Sequence, residues 1–136
     1  MVYKFYKLAR FFYKIKLVPL AIIIRAIMRI IFSCDIPYKA KIGKNVKFPH
    51  LALGIVIHPR AEIGDNCMIL HGVTIGGKSG HDAVPIIGNN VLIGANSVVM
   101  GPITIGDNAV IGAGSVVLHD VKPGEVVVGV PAKKIK

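Results

Sequence analysis

Aliphatic side chains recur at every sixth residue through most of this chain, and that period restricts the fold more than any other feature. Stepping by six from Ile36 reaches Ile42 and Phe48. The phase slips, resumes at Ile57, Ile63, Ile69 and Ile75, and after two hexads runs on through Ile87, Ile93, Val99, Ile105, Ile111 and Val117. Twelve of these thirteen residues are Ile or Val, too regular for an ordinary β domain with scattered Ile-Gly turns. A second column sits four residues behind the first: Val46, Ala61, Cys67, Val73, Val91, Ser97, Ile103, Ala109 and Ser115, all small or β-branched. Neither a helix nor simple strand alternation produces a period of six. A short parallel strand plus a turn does, with three hexads closing one triangular coil. The expected fold is therefore an all-β solenoid whose aliphatic ladder fills the prism, with a short helical segment in front of it.

Two interruptions stand out. Nine residues separate Phe48 from Ile57 where six would keep step, so a bulge is expected there, and His50 sits on it. Residues 76–86 (GGKSGHDAVPI) keep register over two hexads but are Gly-rich and polar, which predicts a loop leaving the wall. Such loops on a regular scaffold commonly carry function. The expected organisation is residues 1–33 as basic amphipathic helices, 34–120 as the solenoid with the 76–86 excursion, and 121–136 as a tail.

The formal charge is +10, and seven of those charges (Lys4, Lys7, Arg10, Lys14, Lys16, Arg25 and Arg29) precede the first acid, Asp35. Any acidic partner should meet that segment. Residues 2–16 place Phe5, Leu8, Phe12 and Ile15 at helical spacing beside a basic stripe of Lys7, Arg10 and Lys14. Pro19 breaks or restarts the helix, and 20–32 are apolar but carry Arg25 and Arg29, too short and charged a run to span a bilayer comfortably. Two readings stay open: peripheral contact with an anionic membrane, or helices that cap the solenoid and pack on neighbouring subunits. No nucleic-acid recognition motif accompanies the charge, so nucleic acid is not expected as a partner. Cys34 and Cys67 look like free thiols, and no cleavage site follows the apolar run, so a cytoplasmic protein is expected, with peripheral contact at the inner membrane face as the open alternative.

The fifteen-residue spacing Asp35–His50, with Gly-Val-Thr-Ile-Gly-Gly at 72–77 and Gly-Val-Pro-Ala-Lys at 129–133, resembles the hexapeptide-repeat acyltransferases. The nearest branches are the serine acetyltransferases and the shorter sugar O-acetyltransferases. The resemblance covers about residues 34–136. It implies a left-handed parallel β-helix, a homotrimer, and acetyl-CoA as the acetyl donor in the groove between adjacent solenoids. It implies His50 and Asp35 as a catalytic dyad and Gly77, with Gly76 and Lys78 beside it, near the thioester. It also implies Ala95 and Ala113 along the pantetheine arm, and Lys133 and Lys134 near the nucleotide. The sequence departs from the serine enzymes where they hold their amino acid. Pro49 stands for an Asp before the His, and Ala83 and Val84 stand for an Arg-His pair. A desolvated zwitterion needs charged partners, so a sugar or lipid-linked glycan hydroxyl is the expected acceptor. Serine O-acetyl transfer with a rebuilt pocket, or a non-catalytic membrane-associated scaffold, are the alternatives.

For that chemistry a neutral imidazole is suited to take a hydroxyl proton near pH 7. A carboxylate on its other nitrogen fixes the tautomer, and a backbone N–H can hold the developing oxyanion. His50 is the expected base, with His71 as the alternative. His71 and His81 are candidate acceptor contacts, while His58 is expected at the surface and His119 is expected to be structural or exposed. The histidines are spaced 8, 13, 10 and 38 residues apart with no short pair, so no metal site is expected.

Overall fold

Every ladder residue but two is buried, and all nine residues of the second column are buried with them. The exceptions, Ile42 and Phe48, lie half-buried against the same core in the first coil. The computed structural model describes all 136 residues. Strands of two or three residues stack into three parallel walls around that core. One wall stacks Val56–Ile57, Thr74–Gly76, Val98–Met100 and Val116–Val117, with Asp35 bridged beneath Val56. The second stacks Lys41–Ile42, Glu62–Ile63, Ile86–Ile87 and Thr104–Ile105, and Val121 bridges above Ile105. The third stacks Met68–Ile69, Leu92–Ile93, Val110–Ile111 and Val126–Val128, with Lys47 beneath Met68.

A plain coil takes eighteen residues, as from Val56 to Thr74 or from Leu92 to Val110. The bulge at Phe48–Ile57 stretches one coil, so that Lys41 pairs with Glu62. The Gly-rich excursion stretches another, so that Met68 pairs with Leu92. The excursion is shorter than its sequence suggests. Gly76 still pairs with Met100, and Ile86 re-enters a strand opposite Thr104. Parallel pairing also continues past residue 120: Val121 and Val126–Val128 add to two walls before the chain turns back and lays Lys133–Lys134 antiparallel on Val127–Val128.

The corners explain the glycines. A Cβ built on Gly64 would lie 2.6 Å from the backbone carbonyl carbon of Gly88, one coil above, and one on Gly94 would lie 2.5 Å from the amide nitrogen of Ala113. Backbone rests directly on backbone there, with no room for a side chain. Asparagine supplies the left-handed turn residue at Asn45, Asn66, Asn90, Asn96 and Asn108, a conformation it tolerates better than most residues. In the second column, Ser97 and Ser115 stay polar without penalty. The Ser97 hydroxyl donates to the Gly112 carbonyl at 2.9 Å, and the Ser115 hydroxyl accepts the Gly129 amide at 3.1 Å.

Helices α1 (Val2–Lys14) and α2 (Val18–Phe32) form a hairpin over the first coil. Pro19 sits in the first turn of α2, where its missing N–H costs nothing. The buried stripe of α1 is not the Phe5, Leu8, Phe12, Ile15 row. Val2, Tyr6 and Ala9 are buried instead, and Leu8 and Ile15 face outward. The reason is polar. The Tyr3 hydroxyl donates to the Gly43 carbonyl at 2.6 Å, and the Tyr6 hydroxyl donates to Ala40 while accepting the Ile42 amide at 3.1 Å. Arg10, read from the sequence as part of a basic stripe beside the apolar row, donates to the carbonyls of Tyr38 and Ala40 at 2.9 and 3.2 Å. The helix therefore turns the side that can satisfy the open rim of the first coil. Neither helix is long and apolar enough to cross a membrane.

Two outcomes follow from this packing. Gly94→Ala should cost about 3 kcal/mol in denaturant unfolding, because its methyl meets backbone. Gly114→Ala, at φ +68 with nothing within 4 Å of the added carbon, should cost only about 1–2 kcal/mol of backbone strain. Both cysteines are buried free thiols, and burial beside the Asp35 charge pushes Cys34 up to about 11. An unfolded thiol ionises near pH ~8.5, so the folded state binds the extra proton. Its contribution is complete below that pH and is lost as pH rises toward about 11. Stability should fall across that window by less in Cys34→Ala than in the parent chain, and a thiol reagent at pH 8 should label Cys34 only after unfolding.

Candidate active site

One edge of the prism, where the third wall turns into the first, gathers most of the chemistry. Phe48 and Ile69 occupy matching places, since Lys47 bridges Met68, and Ile69, Ile93, Ile111 and Val127 are stacked partners. Two residues past each lies His50, His71, Ala95, Ala113 and Gly129. Backbone bonds hold this column together. The Gly72 amide donates to Leu53 at 2.8 Å, Asn96 to His71 at 2.9 Å, and Gly114 to Ala95 at 2.8 Å. Two histidines thus head a track of small residues. Their shared offset from the ladder is a signal in the sequence that spacing to Asp35 alone does not use.

His50 stands on a tight left-handed turn, Pro49–Ala52, in which His50, Leu51 and Ala52 all have positive φ (57°, 53° and 59°). A left-handed run of three non-glycine residues costs about 1–2 kcal/mol each, and such strain collects at functional sites. The turn delivers an exposed imidazole whose edge meets the ring of His71, with centroids 5.1 Å apart and planes 89° apart. His71 is half-buried, and its Nδ1 is buried without a hydrogen-bond partner. The structure therefore joins the expected base to the residue read as its alternative.

Asp35 lies below this edge, in the strand position stacked under Val56, which the chain reaches directly after the His50 turn. Its carboxylate does not bond to His50. Both oxygens accept from Arg25 of α2, Oδ1 from Nε at 2.8 Å and Oδ2 from Nη2 at 3.1 Å. This bidentate bond raises the Arg25 pKa despite partial burial. Sequence reading missed the pairing; the available signal was an arginine inside an apolar helix ten residues before an otherwise unaccompanied aspartate.

The expected oxyanion side lies on the next edge, across the first wall. Gly76 ends a strand there, Gly77 follows, and Lys78 and His81 are exposed in the excursion. Lys78, His81, Met100, Leu118, His119 and Asp120 are among the residues lining a shallow groove of about 290 Å³. A Cβ at Gly77 would stand 3.6 Å from Val84 and 3.8 Å from the His58 ring, so His58, read as a surface residue, borders this glycine. The His58 Nδ1 accepts the Arg60 amide at 3.0 Å, and burial, then the Arg60 charge, lowers its pKa. Lys133 and Lys134 are exposed at the far end of the third wall, with Lys134 paired to Glu125 at 3.4 Å. Within one chain, then, the histidine column and the Gly77 loop occupy different edges.

The residues present fit a pantetheine arm. Ala95, Ala113 and Gly129 put no bulk on the track, and a carbon added at Gly114 meets nothing. The exposed Lys133 at the far end would be available to the phosphates of such an arm. No three His, Cys, Asp or Glu side chains converge to hold a metal.

Residues 85–119 match the bacterial transferase hexapeptide (six repeats) family. The chain is 53% identical over 106 residues to serine acetyltransferase 1, chloroplastic, of Arabidopsis thaliana, covering 76% of this chain and 33% of that one. It is 39% identical over 132 residues to the serine acetyltransferase of Helicobacter pylori, covering 96% of this chain and 77% of that one. The solved serine acetyltransferase of Brucella abortus in complex with coenzyme A superposes with a TM-score of 0.91 at 40% identity, over 97% of this chain and 53% of that one. Most of the curated relatives extend well beyond it: the first two matched are spanned over 33% and 47% of their length. The parallel stack is thus a left-handed parallel β-helix, and the chain belongs to the serine acetyltransferase family of hexapeptide-repeat acyltransferases.

Proposed function

We propose that this chain is an acetyl-CoA-dependent O-acetyltransferase of the serine acetyltransferase type. The observation that carries the reading is the edge column: two apposed imidazoles, one presented by a strained turn, at the head of a small-residue track. Acetyl-CoA would supply an activated thioester. The chain's part is proton handling and placement. His50 accepts the proton of the attacking hydroxyl and later returns it to the departing sulfur. His71, edge-on to His50, fixes that ring. Asp35, bonded through both oxygens to Arg25, places a carboxylate beneath the site.

The Gly77 amide is suited to the oxyanion, yet it lies on the neighbouring edge. A trimer of parallel prisms would bring the histidine edge of one copy against the Gly77 edge of the next, which supports the homotrimer expected from the resemblance. Each cleft would then be composite.

L-serine is the acceptor favoured by the names of the relatives. One observation favours a second reading. Where the serine enzymes are expected to clamp their amino acid, this chain has Pro49, an exposed Ala83, and Val84 packed toward Gly77. Those side chains suit a neutral hydroxyl, such as that of a sugar or a lipid-linked glycan. A thiol-release assay with acetyl-CoA separates the two: turnover with L-serine and none with sugars supports the first reading, and the reverse pattern supports the second. His50→Ala should lower turnover about 10²–10⁴-fold, the usual worth of a general base. Coenzyme A should still raise the melting temperature of that variant as it does the parent's. Unchanged turnover in His50→Ala would move the base to His71, and no thermal shift in either protein would remove the acetyl-donor site.

A further inference from the structure

Eleven of the eighteen exposed large hydrophobic side chains fall within residues 1–32, so exposure is concentrated in a quarter of the chain. Helix α2 buries Ala21, Met28 and Phe32 against the solenoid and turns Ile23, Ile27 and Ile30 outward at 54%, 37% and 81% exposure. By helical spacing these three share one face, which bears no charge. On α1, Phe11 is exposed between Lys7 and Lys14, along the flank that borders Gly43, Lys44 and Asp65. The hairpin thus carries an uncharged apolar ridge on α2 and, on α1, a ridge where cations alternate with apolar groups.

Charge identifies what such a surface fits. The segment before Asp35 holds seven basic residues and no acid. Arg25 is spent on Asp35 and Arg10 on backbone carbonyls. Lys4, Lys7, Lys14, Lys16 and Arg29 take no part in any of the chain's three ion pairs. A second copy meeting the hairpin with its own hairpin would oppose like charges, since the nearest carboxylates, Asp65 and Glu62, belong to the solenoid groove beside Lys14. A polyanion such as nucleic acid would leave the isoleucine ridge without a partner. A leaflet of anionic lipid satisfies both ridges, taking isoleucines at the acyl boundary and lysines at the headgroups.

We propose that the α1–α2 hairpin is a docking surface for an anionic membrane, with the Ile23–Ile27–Ile30 face of α2 inserted and Lys7 and Lys14 of α1 on the headgroups. The hairpin lies in the interface without crossing it. Membrane docking and acetyl transfer are separate properties and fail separately, because neither ridge contains a residue of the histidine column.

Flotation of the full chain tests this. It should rise with phosphatidylcholine vesicles containing one-third phosphatidylglycerol at low salt. It should remain behind with phosphatidylcholine alone or at high salt, where headgroup attraction is screened. Lys7→Gln with Lys14→Gln should weaken binding about 30-fold, at roughly fivefold per basic residue. Ile23→Ser with Ile30→Ser, both at exposed positions, should abolish flotation while leaving the melting temperature and basal turnover unchanged. The proposal is overturned if the parent chain does not float with anionic vesicles, or if it floats equally well with both isoleucines replaced. It is also overturned if that replacement lowers the solution mass measured by light scattering without changing flotation, since the ridge would then join copies of the chain.

Discussion

Backbone resting on backbone is the condition the rest of the molecule obeys. Where three walls meet, successive coils come so close that Gly64 lies against Gly88 and Gly94 against Ala113 with no space for a methyl group. Once the corners are this tight, the interior has a fixed cross-section, and only one bulky aliphatic and one small side chain per hexad fit it. The ladder and its smaller companion column are therefore two sides of a single steric requirement.

The same condition shapes the candidate site. A regular coil repeats each residue's surroundings above and below, so a column such as His71, Ala95, Ala113 and Gly129 is straight and evenly stepped. That regularity suits an extended flexible molecule but offers little to hold a small acceptor. The local departure at Pro49–Ala52 breaks the monotony, and its left-handed residues are held by the coil that follows. The Gly-rich excursion is the second departure, one wall away. Function, on this view, is concentrated where the repeat is violated, and the intact repeat keeps the violations in place.

Much of this was legible in the sequence. The ladder could be read because steric demand recurs every six residues, and both interruptions showed as changes in its count. The bulge histidine was legible for the same reason. The phase of α1 was not: hydrophobicity favoured Phe5, Leu8, Phe12 and Ile15, whereas the tyrosine hydroxyls that bond the coil rim rotated the helix toward Tyr6. The partner of Asp35 was not legible either. Spacing pointed to His50, but Arg25 arrives from α2, a separate helix that packs Met28 and Phe32 into the core. Nor did the count of residues reveal that Gly77 and His50 belong to separate edges, because an edge assignment needs the register of all three walls.

The two ends of the prism are treated differently from its middle. At one end Tyr3, Tyr6 and Arg10 occupy the carbonyls of Gly43, Ala40 and Tyr38. At the other, Lys133–Lys134 runs antiparallel across Val127–Val128, so the last strand is met by one of opposite direction. A parallel stack left bare at either face would be a template for the identical stack of another molecule, and coaxial addition would have no natural stopping point. Phenol and guanidinium groups on one face, and a reversed, lysine-bearing strand over the third wall on the other, work against such addition. The protein can use a shape akin to that of a fibril without becoming one.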